Sequence, residues 1–182
     1  YVFDGNSSSP LSEATNGSPI NVYGKTKHDG EKSCLINDPN SIVIRTSWVF
    51  SSYGNNFVKT MLKLANLKDS LTVVEDQWGL PTYAKDLAKF TLHLIDSQTP
   101  SKDTFHFSNS GQTNWCAFAQ TIVEEGAKLG LCKKIPVTGI PTADYPTPAK
   151  RPLNNVFDLS KAQKTYAIPH WKESLQEVFS KL

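Results

Sequence analysis

The chain has 182 residues, room for one domain of about 150 residues or a domain plus a lobe, and enough to bury a core without disulfide staples. Its 19 Lys and Arg against 17 Asp and Glu leave a net charge of +2, which argues against a dedicated nucleic-acid binder with its basic stripe. Charged residues at 20% with no long single-sign run argue against global disorder, and no apolar stretch approaches the ~20 residues of a membrane span.

The chain opens on a β-type run, Tyr1-Val2-Phe3, that turns at Asp4-Gly5-Asn6. A domain seldom begins inside a strand, so a fragment lacking its N-terminal part is expected. Asn6 to Pro19, rich in Ser, Asn, Gly and Pro, is a loop. Tyr23 to Ile36 reads as a helix with a costly internal Gly30, ended by Asn37-Asp38-Pro39-Asn40. Ser41 to Phe50 is β-branched and aromatic and predicts one buried, parallel strand.

Asn56 to Leu67 places Phe57, Met61, Leu64 and Leu67 at helical spacing, a core stripe. Leu71 to Val74 is a short strand, and Asp76 to Thr82 a turn-rich loop. Tyr83 to Asp96 is an amphipathic helix with Leu87, Phe90, Leu94 and Ile95 on one side, and Thr104 to Phe107 a strand. Asn114 to Leu129 is a helix with Thr113 as its N-cap and Gly130 as its stop. Five prolines from Pro136 to Pro152 impose an extended, irregular path. Asp158 to Tyr166 and Trp171 to Leu182 close the chain as helices. The alternation of strands and helices is that of a layered α/β architecture.

Cys34, Cys116 and Cys132 are odd in number and lack CxxC spacing, so they read as reduced thiols of a cytoplasmic protein. His28, His93, His106 and His170 form no HxxH pattern and are read as non-catalytic. Asp76, Asp86 and Asp96 have no metal-ligand spacing, so no metal is expected. Arg45, in an apolar strand, calls for a structural ion pair.

The sharpest chemical feature is Tyr23-Gly24-Lys25-Thr26-Lys27, because a Tyr and a Lys four apart share one helix face. A neighbouring ammonium favours the phenolate, which equips such a pair to move a proton to or from a carbonyl or hydroxyl oxygen. The same spacing also suits a plain solvated helix face.

Tyr1-Val2-Phe3-Asp4-Gly5 followed by the YxxxK helix resembles the extended short-chain dehydrogenase/reductase superfamily. Arg45-Thr46-Ser47-Trp48-Val49-Phe50, Gly54-Asn55-Asn56-Phe57, Asp76-Gln77-Trp78-Gly79-Leu80-Pro81-Thr82 and Arg151-Pro152-Leu153-Asn154-Asn155 narrow the resemblance to the dTDP-4-dehydrorhamnose reductase family. Several blocks in order, from Tyr1 to about Lys161, are far more specific than one motif. The resemblance implies an α/β fold made of the C-terminal part of a Rossmann-like NAD(P)-binding fold plus a small α/β substrate-binding lobe. Residues 1–75 would be the remaining core with the YxxxK helix. Residues 76–182 would be mainly the lobe, with helix 83–97 packing on the core.

The reaction so implied is reduction of the 4-keto group of dTDP-4-dehydro-L-rhamnose to dTDP-L-rhamnose by NADPH or NADH. Tyr23 would donate the proton to the 4-oxygen; Lys27 would favour its ionisation and, with Tyr23, hold the nicotinamide ribose. Tyr1, Trp48, Asn56, Gln77 and Arg151 would line the sugar-nucleotide cleft. Trp48 could equally be core, and Arg151 either a phosphate contact or a surface arginine. The family's GxxGxxG loop and the Ser/Thr partner of the tyrosine are absent here, so this chain alone should bind NAD(P)H poorly and turn over little. Two other readings stand beside this one. One is a non-catalytic sugar-nucleotide-binding or regulatory subunit-like module; the other is a sugar-nucleotide epimerase or dehydratase of the same superfamily. The expected partner is the dTDP-sugar, with no nucleic acid and no membrane, and an uncovered sheet edge would invite self-association.

Overall fold

The computed structural model describes residues 1–182 except 39, 98, 100 and 101, so the helix-ending role expected of Pro39 lies outside the described residues. In chain order the elements begin with α1 (Val22–Asn37), β1 (Ile42–Arg45), β2 (Val49–Phe50), α2 (Phe57–Leu67) and β3 (Leu71–Val74). They continue with β4 (Trp78–Gly79), β5 (Thr82–Tyr83), α3 (Ala84–Asp96), β6 (Asp103–His106), β7 (Thr113–Asn114) and α4 (Trp115–Lys128). The last are β8 (Val137–Ile140), a short 3-10 turn (Thr142–Asp144), α5 (Ser160–Gln163) and α6 (Trp171–Phe179).

Strands pair at long range and mostly in parallel, the signature of α/β layering. β1 runs parallel to β6 with Ile42 opposite Asp103, β2 parallel to β5, and β3 parallel to β8 with Leu71 opposite Val137. Only β4 and β7 are antiparallel among these pairs. Single bridges tie Leu11 to Phe157 and Trp78 to Asn154.

The strand expected over Ser41–Phe50 is broken in two. Trp48 adopts φ 47°, a left-handed conformation that a bulky residue takes only under tertiary constraint, and the ladder stops on either side of it. The proline-rich stretch is less irregular than its composition implies: β8 fits between Pro136 and Pro141, where neither ring removes a ladder donor. The cap of α4 is Asn114 rather than Thr113, since the Asn114 carboxamide oxygen accepts from the Ala117 N–H at 2.8 Å. Leu67 and Ile95, expected on buried faces, are 70% and 66% exposed because each falls at a helix end beyond its packing partner. The helix expected over Asp158–Tyr166 shortens to α5.

Three apolar clusters hold these layers. The largest joins α2, α4 and α6 through Val58, Met61, Phe118, Ile122, Leu175 and Val178. A second sits between α3 and the β1–β6 pair, where Phe90 stacks on Phe107 at 4.6 Å and touches Phe105. The third gathers Val2, Phe3, Leu11, Leu80, Val156 and Phe157, so the start of the chain is anchored by residues near its end. Fully burying one such side chain is worth about 1.5–3 kcal/mol. Cys116 and Cys132 are buried free thiols, pushed up in pKa by that burial, and Cys34 is an exposed one. Among the described residues no helix is long and apolar enough to cross a membrane, and no three His, Cys, Asp or Glu side chains gather as metal ligands.

Candidate functional site

The site is built on the first turns of α1. Asn21 caps this helix, its carboxamide oxygen accepting from the Gly24 N–H at 2.8 Å. Gly24 is buried and lies against the backbone of Tyr1, where a Cβ would overlap the Tyr1 carbonyl oxygen. Only glycine allows that approach, and its consequence is lateral: Tyr23 meets Tyr1 edge-on, ring centroids 6.0 Å apart. Tyr23 is 59% exposed, and the Lys27 ammonium lies 5.5 Å from the centre of its ring. The Tyr23 hydroxyl and the Lys27 ammonium have no hydrogen-bonding partner among the described residues, so both polar ends are open to a ligand.

Two turns further along the same helix, Glu31 receives the Arg45 guanidinium through Nε and Nη2 at 2.9–3.1 Å. This is the structural ion pair expected of Arg45, and it fixes α1 against β1. Behind it, His106 is wholly buried; its Nδ1 lies 2.9 Å from the Leu11 carbonyl and its backbone N–H donates to Glu13. Burial lowers the His106 pKa to about 4, opposed by Glu13 and reinforced by Arg45.

The Arg151 segment adjoins this face, since the Asn21 amide donates to the carbonyl of neighbouring Lys150 at 2.9 Å. Burial pushes the Tyr1 phenol above its ordinary pKa; the Arg151 charge opposes that shift and Tyr23 adds to it. The Arg151 segment is held by close packing. Gly5 takes φ 81°, a Cβ there would lie 2.5 Å from Pro152, and the Asn154 N–H donates to the Gly5 carbonyl at 3.2 Å. Tyr1 and the Tyr23–Lys27 pair therefore share one face, and the Arg151 charge acts on Tyr1 from a segment distant in sequence.

The other three predicted residues are differently placed. Trp48 stacks on Trp115 at 3.7 Å and lies over Gly79, whose Cβ would be 2.7 Å from the indole. Its indole N–H is buried without a hydrogen-bonding partner among the described residues. Asn56 caps α2: its oxygen accepts from the Lys59 N–H, and its amide donates to the Ser51 carbonyl at 2.7 Å. Gln77 is buried, its amide donating to the Thr142 hydroxyl at 3.0 Å. Beside it, burial raises the Asp76 carboxyl, but hydrogen bonds from the Thr142 hydroxyl and N–H outweigh that and hold it below the ordinary carboxylate range.

A cleft of about 260 Å³ opens between Ser8, Asp76, Trp78, Gln112 and Asn154. None of the seven predicted residues lines it, although Gln77 and Arg151 lie within two positions of residues that do. Its walls come from the Ser-rich loop and from the Asp76–Thr82 and Arg151–Asn155 blocks. The Asn and Ser content of those loops was the signal available in the sequence.

The RmlD substrate binding domain model matches residues 1–182. The dTDP-4-dehydrorhamnose reductase of Aggregatibacter actinomycetemcomitans is 42% identical over 185 residues, and that of Escherichia coli K12 is 38% identical over 188. The alignments cover 98% and 100% of this chain and 63% of each relative, so the chain spans less than two thirds of their length. Among solved structures, the Clostridium acetobutylicum dTDP-4-dehydrorhamnose reductase superposes with a TM-score of 0.90 at 37% identity, over 99% of this chain and 62% of that one. The Bacillus anthracis reductase, solved in complex with NADP, gives 0.89 at 33% identity, over 100% and 63%. With its whole length matched by the family model and its fold shared with these reductases, the chain belongs to the RmlD substrate binding domain family.

Proposed function

We propose that this chain is the substrate-binding part of an enzyme that reduces the 4-keto group of dTDP-4-dehydro-L-rhamnose to dTDP-L-rhamnose with NADPH or NADH. The observation that carries the reading is the open Tyr23–Lys27 pair on α1, set edge-on to Tyr1 with Arg151 beside it. In this reading Tyr23 gives its hydroxyl proton to the 4-oxygen as the alkoxide develops. Lys27 places a positive charge beside the phenol and, with Tyr23, holds the nicotinamide ribose. The free polar ends of both side chains fit that half of the cofactor. NAD(P)H, when bound, supplies the hydride. Arg151 takes a phosphate of the dTDP group, a role suited to a guanidinium. Tyr1, Trp48, Asn56 and Gln77 shape the sugar-nucleotide cleft, Asn56 and Gln77 through the loops that their amides hold.

Residues 1–75 form the Rossmann-like core with the YxxxK helix, and residues 76–182 mainly the substrate lobe. Packing of Leu87, Phe90 and Leu94 against Ile42, Ile44 and Phe105 supports the docking of helix 83–97 on the core. The three free thiols support a cytoplasmic location, and the short strand pairs support self-association through their edges.

The test is NAD(P)H oxidation by the full-length protein with dTDP-4-dehydro-L-rhamnose. Tyr23→Phe should lower kcat by about 100-fold or more, the usual worth of a positioned proton donor. Activity close to wild type in that variant would remove Tyr23 from the role.

A further inference from the structure

Asn21 does two things with one side chain. Its oxygen accepts from the Gly24 N–H at 2.8 Å, which caps α1, and its amide donates to the Lys150 carbonyl at 2.9 Å. Ser, Thr and Asp can supply the first of these bonds, but among the preferred cap residues only Asn adds an N–H donor. The second bond joins the start of the Tyr23 helix to the residue just before Arg151. It closes a strap whose far end is pinned by Asp76, which accepts from the Thr142 N–H and hydroxyl. Between these anchors the strap is exposed, with Tyr145 at 54%. On the Arg151 side, Pro152 packs on Gly5 and the Asn154 N–H reaches the Gly5 carbonyl, but these bonds hold the strap to the Asp4–Asn6 turn. Among the described residues, Asn21 supplies the hydrogen bond that ties it to the start of α1 itself.

We propose that Asn21 is a positioning residue that sets Arg151 relative to Tyr23, so that the phosphate-bearing end of the substrate and its keto oxygen are registered by one carboxamide. The inference rests on the reductase reading above. It assigns Asn21 to substrate affinity rather than to the proton transfer, because the amide bond reaches Arg151's neighbour and leaves the helix cap unchanged.

The experiment compares wild type, Asn21→Asp, Asn21→Ser, Arg151→Ala and the Asn21→Asp/Arg151→Ala pair in the full-length protein. Both Asn21 variants keep the cap, and thermal unfolding confirms that they fold. Each should raise KM for dTDP-4-dehydro-L-rhamnose about fivefold, the worth of one net hydrogen bond, with kcat, its pH profile and KM for NADPH unchanged. The double variant should be no worse than Arg151→Ala alone, since both changes act through the same guanidinium. Wild-type KM in Asn21→Asp alongside a raised KM in Arg151→Ala overturns the inference and leaves the reductase reading standing. A fall in kcat with unchanged KM overturns it too, by moving Asn21 to the Tyr23 side. Wild-type protein that does not oxidise NAD(P)H with this sugar overturns both.

Discussion

Gly24 and Tyr1 touch backbone to backbone: a methyl group on Gly24 would occupy the space of the Tyr1 carbonyl oxygen. Six residues along the same helix, Gly30 has nothing within 4 Å of where its Cβ would be. The two glycines therefore respond oppositely to the same change. Gly30→Ala should stabilise the protein by about 0.5–1 kcal/mol through helix propensity. Gly24→Ala should destabilise it by about 1–3 kcal/mol, because the helix must lift off the Tyr1 segment. Urea unfolding of both variants measures the signs, and a stabilising Gly24→Ala would refute the close approach.

The Arg45–Glu31 pair is nearly dry, with side chains 11% and 14% exposed. Removing one partner strands the other charge. Arg45→Met should cost about 3 kcal/mol, and adding Glu31→Leu should recover part of that loss. Chemical denaturation of the single and double variants tests the coupling; additive losses would mean that the pair contributes no mutual term.

His106 gives stability a defined pH dependence. Its pKa falls from 6.5 to about 4 in the native state, chiefly through burial. Between those values the unfolded chain binds the proton and the native chain does not, so acidification favours unfolding. The contribution is complete above pH 6.5 and declines as pH falls toward 4, by about 3 kcal/mol in all. Unfolding free energies at pH 7.5, 6, 5 and 4 should show that slope, and His106→Gln should flatten it. An unchanged slope in the variant would assign the acid sensitivity to carboxylates instead.

Trp48 is held in its left-handed conformation by what surrounds it: Trp115 stacked on one side and the bare backbone of Gly79 on the other. Gly79→Ala pushes a methyl into the indole. It should red-shift tryptophan emission as Trp48 leaves the stack, and weaken sugar-nucleotide binding about tenfold if Trp48 shapes the cleft. Fluorescence and calorimetric titration read the two effects separately.

Most helices were legible because their apolar spacing is strong, and β3 was read to the residue from Leu71 to Val74. The break at Trp48 was not, because β-branched and aromatic residues dominate Ser41 to Phe50 and the kink comes from Gly79 and Trp115, distant in sequence. The two-residue strands β2, β4, β5 and β7 carry too few positions for any period to register. The Tyr23–Lys27 face could be read from helical spacing alone. Its companions could not: that Gly24 admits Tyr1, and that Asn21 bonds Lys150, are facts of three-dimensional approach with no local signature. Asn56 and Gln77 show the same limit, since the sequence puts one at a helix start and the other in a loop but does not show which carbonyl or hydroxyl their amides find.

The parallel pairing of distant strands also governs how the chain is made. Among the described residues, Ile42 pairs with Asp103, Leu71 with Val137 and, by a single bridge, Leu11 with Phe157, each partner lying far downstream. A topology so rich in non-local contacts folds slowly, because long loops must close before any pairing rewards them. During synthesis the Ile42–Arg45 and Leu71–Val74 runs therefore emerge well before these downstream partners exist. In that interval β-forming segments stand without their downstream partners, a condition that favours aggregation.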